Sequence, residues 1–213
     1  MDIKLSICMM VKDEEKNIAR CLESIKTLAN RDDVELIIVD TGSKDKTIEI
    51  LKNYTDKVYF HKWNNNFSDM RNKSIGYAKG KWIFILDADE EVINTDKIVK
   101  VITSNEYLKY NTITITVENV LFKSNNDKNT VSESFRIFKN SKEFRYEGVV
   151  HNQPKWKHPV TSSGAKIIHY GYINDDEELM EKKFVRTSNL LINQLEKNPN
   201  DIYYRMKFSL NSI

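Results

Sequence analysis

Apolar residues recur along this chain in two rhythms, and their alternation lays out most of the molecule. Ile3 to Val11 is an apolar run of strand length, and from about Glu14 to Leu28 the positions Ile18, Cys21, Leu22, Ile25 and Leu28 keep the spacing of one helix face. Glu35 to Val39 is a second buried strand that stops at Asp40-Thr41-Gly42-Ser43. Ser43 suits the N-cap of a helix over Lys46 to Tyr54, with Ile48, Ile50 and Leu51 turned inward. Val58 to His61 reads as a short third strand, and Phe67 to Ala78 as a helix closed by Gly80 as its C-cap. Lys81 to Leu86 is a fourth strand whose Trp82, Ile83, Phe84, Ile85 and Leu86 are apolar on both faces. Strands this continuously apolar, separated by helices, predict a mostly parallel sheet covered on both sides. Ligands of such sheets bind beyond the carboxyl ends of the strands, which directs attention to the loops after Val11, Val39 and Leu86.

The pattern changes in the second half. Thr112 to Val117 and Ser134 to Phe138 are β-rich, with the polar stretch from Ser124 to Thr130 as a hairpin loop, and Lys166 to Tyr170 is a further strand. From Asn174 the period switches to helical: Asn174 or Asp175 can cap a helix in which Met180, Phe184, Leu191 and Leu195 share a face. Pro199 interrupts it, and Ile202 to Leu210 begins a second helix. The expected division is a domain over 1–172, with an α/β half (1–92) and a β-rich half (93–172), followed by a helical extension over 173–213. The simplest reading of that extension is a packing appendage. Asn198 to Tyr204 also resembles the opening of a tetratricopeptide-type repeat, which needs neighbours to bury its faces. Either chain beyond Ile213 or a second copy, hence a homo-oligomer through the tail, would serve.

Composition narrows the functions. The chain has 213 residues, 40% hydrophobic, enough for one full core. Lys plus Arg is 33 against 31 for Asp plus Glu, a net charge of +2, which gives no electrostatic case for nucleic acid or broad membrane adsorption. An anionic ligand must be held by a local site. Cys8 and Cys21 lack a metal-binding or disulfide spacing and read as buried free thiols, as in a reducing compartment. The start of the chain does not follow signal-peptide order, and no apolar run approaches the ~20 residues of a transmembrane helix. A cytoplasmic protein is expected, at most attached to the inner face of the membrane.

The chemistry gathers at the three strand ends. Met10-Val11-Lys12-Asp13-Glu14-Glu15 follows the first strand, Asp40 closes the second, and Asp87-Ala88-Asp89-Glu90-Glu91 follows the fourth. Carboxylates crowded at one sheet edge repel one another. A divalent cation bridging a diphosphate resolves the conflict, since hard oxygen ligands suit Mg²⁺ or Mn²⁺.

Four blocks in order then carry a resemblance: Ser6 to Ile18, Ile37 to Thr47, Met70 to Gly80 and Phe84 to Glu90. Together they resemble the family 2 glycosyltransferases of GT-A fold. Trp63 to Asp69 and Arg145 to His151 (Arg-Tyr-Glu-Gly-Val-Val-His) resemble the bacterial subgroup of lipopolysaccharide-core glucosyltransferases and peptide glycosyltransferases. The resemblance implies a Rossmann-like, mostly parallel sheet flanked by helices, a nucleotide-binding half, a β-rich acceptor half and a C-terminal helical tail. It also implies a sugar donor linked to a nucleoside diphosphate, expected to be UDP, and a glycan or peptide acceptor.

By the same resemblance, Val11, Glu14, Asp40, Arg71, Asp87 and Ala88 would bind the nucleotide sugar, with Asp45 ordering the loop after Asp40. Asp89 and His169 would ligate Mn²⁺ or Mg²⁺. Such enzymes invert the anomeric centre, and Glu147 would be the general base, with His151 orienting the acceptor or Glu147. Met10 stands where proline is common and Lys12 where tyrosine is common, which leaves stacking of the base on residue 12 open.

Plainer roles exist for these residues: a helix N-cap for Asp87 and Asp89, a turn former for Asp40, an ion pair for Arg71, a surface carboxylate for Glu147, and a hydrogen-bonded core residue for His169. Trp63 and Phe67 would pack beneath the donor site or in the core. Two rival classes share the sheet. A sugar nucleotidyltransferase needs a Gly-rich, Arg-containing loop after the first strand, and Met10 to Glu15 has no glycine. A non-catalytic nucleotide-sugar-binding module has no need of the Asp-x-Asp pair together with Glu147.

Overall fold

A computed structural model describes residues 2–121, 129–171 and 177–211. In chain order the first half runs β1 (Leu5–Val11), α1 (Ile18–Ser24), α2 (Lys26–Ala29), β2 (Val34–Asp40), α3 (Thr47–Leu51), β3 (Val58–Phe60), α4 (Phe67–Gly76), β4 (Trp82–Ile85) and β5 (Glu90–Val92). The second half runs α5 (Thr95–Thr103), β6 (Thr112–Asn119), β7 (Thr130–Lys139), β8 (Tyr146–Glu147), β9 (Gln153–Pro154), β10 (Val160–His169), α6 (Glu177–Lys197) and α7 (Ile202–Asn211).

One eight-stranded sheet in the order β3-β2-β1-β4-β7-β6-β10-β5 carries the molecule. β3, β2, β1 and β4 are mutually parallel, as their unbroken apolar runs require. β7 pairs antiparallel with both β4 and β6, β6 is parallel to β10, and β10 is antiparallel to β5. β8 and β9 form a separate short ribbon. β1, β2 and β4 are buried on both faces: Ile7, Met9, Ile38 and Phe84 belong to the main core with α1 and α5, while Cys8, Ile37, Ile83 and Ile85 face α4 with Phe138 and Tyr146. Cys8 and Cys21 are both free and buried.

Three local expectations are corrected. The first helix breaks at Ile25 into α1 and α2. Ser43 does not cap α3, whose N-cap position is Lys46; its hydroxyl donates to Asp40 Oδ2 and accepts from Asp13 N at 2.9 Å instead. α4 ends at Gly76, so Gly80 is not its C-cap. Gly80 allows close approach to β1: a Cβ there would lie 2.5 Å from Ser6 N and 2.6 Å from Leu5 C, both backbone atoms. Gly80→Ala is therefore expected to push β4 off β1 and cost about 1–3 kcal/mol, read as a lowered Tm. An unchanged Tm would remove this account of the glycine. Most of the hairpin loop expected over 124–130, and the caps Asn174 and Asp175, lie outside the described residues.

Candidate functional site

The carboxyl ends of β1, β4 and β10 open into one cleft of about 630 Å³. Val11 and Glu14 line it from the β1 loop, Arg71 from α4, Asp87, Ala88 and Asp89 from the β4 loop, and His169 and Gly171 from the end of β10. Val150, His151 and Asn152 line it from the segment between β8 and β9. Among the described residues no group of three or more His, Cys, Asp or Glu is already arranged around a metal position.

The β4 loop is held tightly. Asp87 N donates to Glu90 Oε2 at 2.9 Å, Glu90 N donates to Asp87 O at 3.2 Å, and Tyr170 N donates to Asp89 O at 3.0 Å. Arg71 Nη2 reaches both oxygens of Asp87, at 2.8 and 3.1 Å, and Arg136 of β7 stands between Asp87 (3.5 Å) and the fully buried Glu90. Burial works against the Asp87 carboxylate, yet Arg71 and Arg136 outweigh it and hold its pKa at about 2. The Glu90 carboxyl is raised to about 7 because burial prevails over Arg136. Asp87 is therefore a fixed anion. Arg71 also donates from Nε to Asn152 Oδ1 at 3.3 Å, while its Nη1 is buried without a hydrogen-bond partner among the described residues.

Asp89 faces His169 across 3.5 Å between Oδ2 and Nε2, and both side chains are largely buried. His169 Nδ1 lies 2.9 Å from Asn119 Oδ1. An amide oxygen can only accept, so Nδ1–H donates to Asn119, and Nε2, the ring atom nearest Asp89, is where the imidazole takes up a second proton or, neutral, can ligate a metal. Burial disfavours the charged imidazole, but Asp89, Glu90 and Asp87 together raise its pKa above the ordinary value. A Cβ at Gly171 would stand 2.3 Å from Asp89 Oδ2 and 2.5 Å from His169 Nε2, so only glycine leaves this pair open. One oxygen and one nitrogen donor beside an open space fit Mn²⁺ or Mg²⁺ with further ligands from a diphosphate.

Residues 6–174 match the family model described as Glycosyl transferase family 2. The chain belongs to this family. Relatives include the SPbeta prophage-derived glycosyltransferase SunS of Bacillus subtilis, 30% identical over 199 residues, 90% of this chain and 45% of that protein. A TPR repeat-containing protein of Synechococcus elongatus is 31% identical over 187 residues, 81% of this chain and 43% of that protein. The chain thus spans less than half the length of these curated relatives. Among solved structures, S. aureus TarS 1-349 in complex with UDP-GlcNAc superimposes with a TM-score of 0.59 at 15% identity, covering 91% of this chain and 67% of that one. At that identity the match speaks for the fold, which is GT-A: a mostly parallel sheet flanked by helices.

On this family 2 scaffold the loops after β1 and β2 are zipped together. Lys44 N donates to Asp13 Oδ1 at 2.7 Å, Glu14 N to Thr47 Oγ1 at 2.7 Å and Glu15 N to Asp45 Oδ2 at 3.0 Å. Glu14 is thereby presented to the cleft, and burial raises its carboxyl pKa to about 7. Asp40 departs from expectation. It is buried, does not line the cleft, and accepts from Gly42 N at 2.9 Å and Ser43 N at 3.1 Å, so it shapes the loop.

Glu147 departs further. It stands exposed on the β8–β9 ribbon, outside the cleft lining, 2.7 Å from Arg145 and 3.4 Å from Lys155. Lys155 and Arg145 hold its carboxyl below the ordinary value. The turn after it brings His151 into the cleft instead. Gly148 makes that turn at φ +96°, a conformation that strains any residue with a side chain, and a Cβ there would sit tightly, 3.2 Å from His151 O. Phe67 N donates to Val149 O at 2.9 Å and Ser68 Oγ donates to Gly148 O, which pins the turn to the start of α4.

Sequence reasoning gave no place at the site to Arg136, Asn152 or the cleft-facing residues of α6, namely Lys183, Arg186, Thr187 and the two it read only as part of a packing face, Met180 and Phe184. The last set carried a signal: positions 180, 183, 184 and 187 keep the spacing of one helix face.

Proposed function

We propose that the chain is an inverting glycosyltransferase that moves a hexose or N-acetylhexosamine from a UDP-sugar to a saccharide, a lipid-linked glycan or a peptide side chain. The observation that carries this is the Asp89–His169 pair, held open by Gly171 beside a fixed anionic Asp87 in the family's strand-end cleft. The UDP assignment draws on S. aureus TarS, whose structures were solved in complex with UDP and with UDP-GlcNAc. Asp89 and His169 would hold Mn²⁺ or Mg²⁺, whose charge would stabilise the departing diphosphate. Val11, Glu14 and Ala88 form the nucleoside side of the cleft, and Arg71 acts by fixing Asp87 while keeping Nη1 for the ligand. Asp40 sets the loop beside them.

In the reaction, the acceptor oxygen, or thiol sulfur, forms a bond to the anomeric carbon on the face opposite UDP. The bond from that carbon to the diphosphate oxygen breaks, its electron pair leaving with UDP. The acceptor's proton passes to a base within about 3 Å. We assign that role to His151 rather than Glu147, because His151 lines the cleft and burial, helped by the charge of Lys207, lowers its pKa and keeps the ring neutral. Two buried free thiols fit the reducing cytoplasm as the compartment, including the inner face of the membrane where lipid-linked acceptors reside. Among the described residues no helix is long and apolar enough to cross a membrane.

Incubating the protein with Mn²⁺ and a panel of UDP-sugars should release UDP from one of them, slowly with water as acceptor. Mass spectrometry of the bound nucleotide after exposure to a cell extract identifies the sugar. Tight binding of a UDP-sugar without turnover in the presence of any acceptor class would favour a non-catalytic module.

A further inference from the structure

The family match stops at residue 174, but the cleft continues onto α6, which begins at Glu177. This helix is seated by specific packing. Leu190 and Leu191 are buried with Val150, and Trp63, Phe67 and Tyr204 pack around them. The Val149 backbone N–H donates to the Tyr204 hydroxyl at 3.3 Å, so α7 grips the same turn.

Seated this way, α6 turns two cations toward the acidic strand ends. Lys183 Nζ donates to Gly171 O at 3.0 Å, the residue whose Cα faces the Asp89–His169 pair. Arg186 lies with its guanidinium 5.3 Å from the centroid of the Phe67 ring, which restrains it at the cleft wall. Across the space is Glu14, whose charge acts on Arg186 and which in turn feels Lys183. The opposite wall offers a diphosphate little positive charge of its own. Arg71 spends Nη2 on Asp87 and Nε on Asn152 and brings only Nη1 to the space, and the Asp89–His169 pair has a net negative or neutral charge. A diphosphate whose one edge meets that wall needs donors on its other edge, and an ammonium with a guanidinium is a fitting set.

Building on the nucleotide-sugar reading above, we propose that Lys183 and Arg186 of α6 bind the diphosphate of the donor. The helical extension thereby completes the donor site.

Calorimetry in Mn²⁺ with UDP and with uridine tests this on the full chain carrying Lys183→Gln, Arg186→Gln or both. Each replacement should weaken UDP binding by about tenfold, the effect of one charge-assisted contact, while uridine affinity and Tm stay at wild-type values. Arg186→Lys should recover part of the loss. UDP affinity of the double variant within about twofold of wild type would overturn the inference and leave the donor reading standing. Equal losses for UDP and uridine would also overturn it, since they would mean a role in shaping the cleft. If the wild type binds neither compound, the donor reading falls and the inference with it.

Discussion

Asp89→Ala is expected to abolish metal-dependent UDP binding and to lower transfer on the order of 10³-fold or more. Lewis-acid stabilisation of a leaving diphosphate is worth several kcal/mol, and each ~1.4 kcal/mol is a factor of ten in rate. Among the described residues Asp89 is the carboxylate paired with His169 Nε2, and Asp87 is locked to Arg71 and Arg136. The Asp89 side chain is 22% exposed and belongs to no core cluster, so the variant should keep its Tm. Titrating UDP with Mn²⁺ and then with EDTA measures the effect: wild type should bind in Mn²⁺ and lose most affinity in EDTA, and Asp89→Ala should behave alike in both. A wild type that binds UDP equally well in EDTA would remove the metal from the mechanism. Gly171→Ala supplies an independent check, because its methyl group would fill the same space without removing a donor.

Asp87 and Asp89 were legible because a buried apolar strand broke abruptly into Asp-Ala-Asp, whereas His169 came only from the family resemblance. An apolar run announces the strand, the break marks its carboxyl end, and parallel-sheet geometry places that end at the ligand edge. The partners that hold the aspartates were not legible. Arg136 reaches Asp87 only because β7 inserts antiparallel beside β4, a pairing between segments some fifty residues apart that no local pattern encodes. The same limit applies to α6. Its face could be read from the spacing of residues 180, 183, 184 and 187, but whether that face met the cleft or solvent depended on the docking of Leu190 and Leu191 against Val150. Ser43 and Gly80 show a smaller version. Both are at home at helix ends, and both were claimed by contacts from distant strands, Ser43 by Asp13 and Asp40, Gly80 by β1.

Glu147 and His151 show what a motif withholds, and they give the sharpest contrast in this protein. A segment reading Tyr-Glu-Gly-Val-Val-His offers two proton acceptors four residues apart, and only the turn at Gly148 decides which one enters the cleft. His151→Gln is expected to lower turnover by about 10²–10⁴-fold, the usual contribution of a general base. Glu147→Gln should retain most of the wild-type rate, since it disturbs only exposed ion pairs with Arg145 and Lys155. UDP affinity should be nearly unchanged in both, because the donor contacts assigned here lie on Val11, Glu14, Arg71, Ala88, Asp89, Lys183 and Arg186. The pH profile adds a second readout. Burial and Lys207 lower the His151 pKa from its ordinary 6.5, so the neutral, proton-accepting form prevails at neutral pH. The acid limb of kcat/KM should then fall below pH 6.5, and it should vanish in His151→Gln, whose residual rate no longer depends on that ring. If Glu147→Gln loses transfer and His151→Gln keeps it, the ribbon must rearrange to bring Glu147 to the acceptor, and the assignment of the base to His151 is wrong.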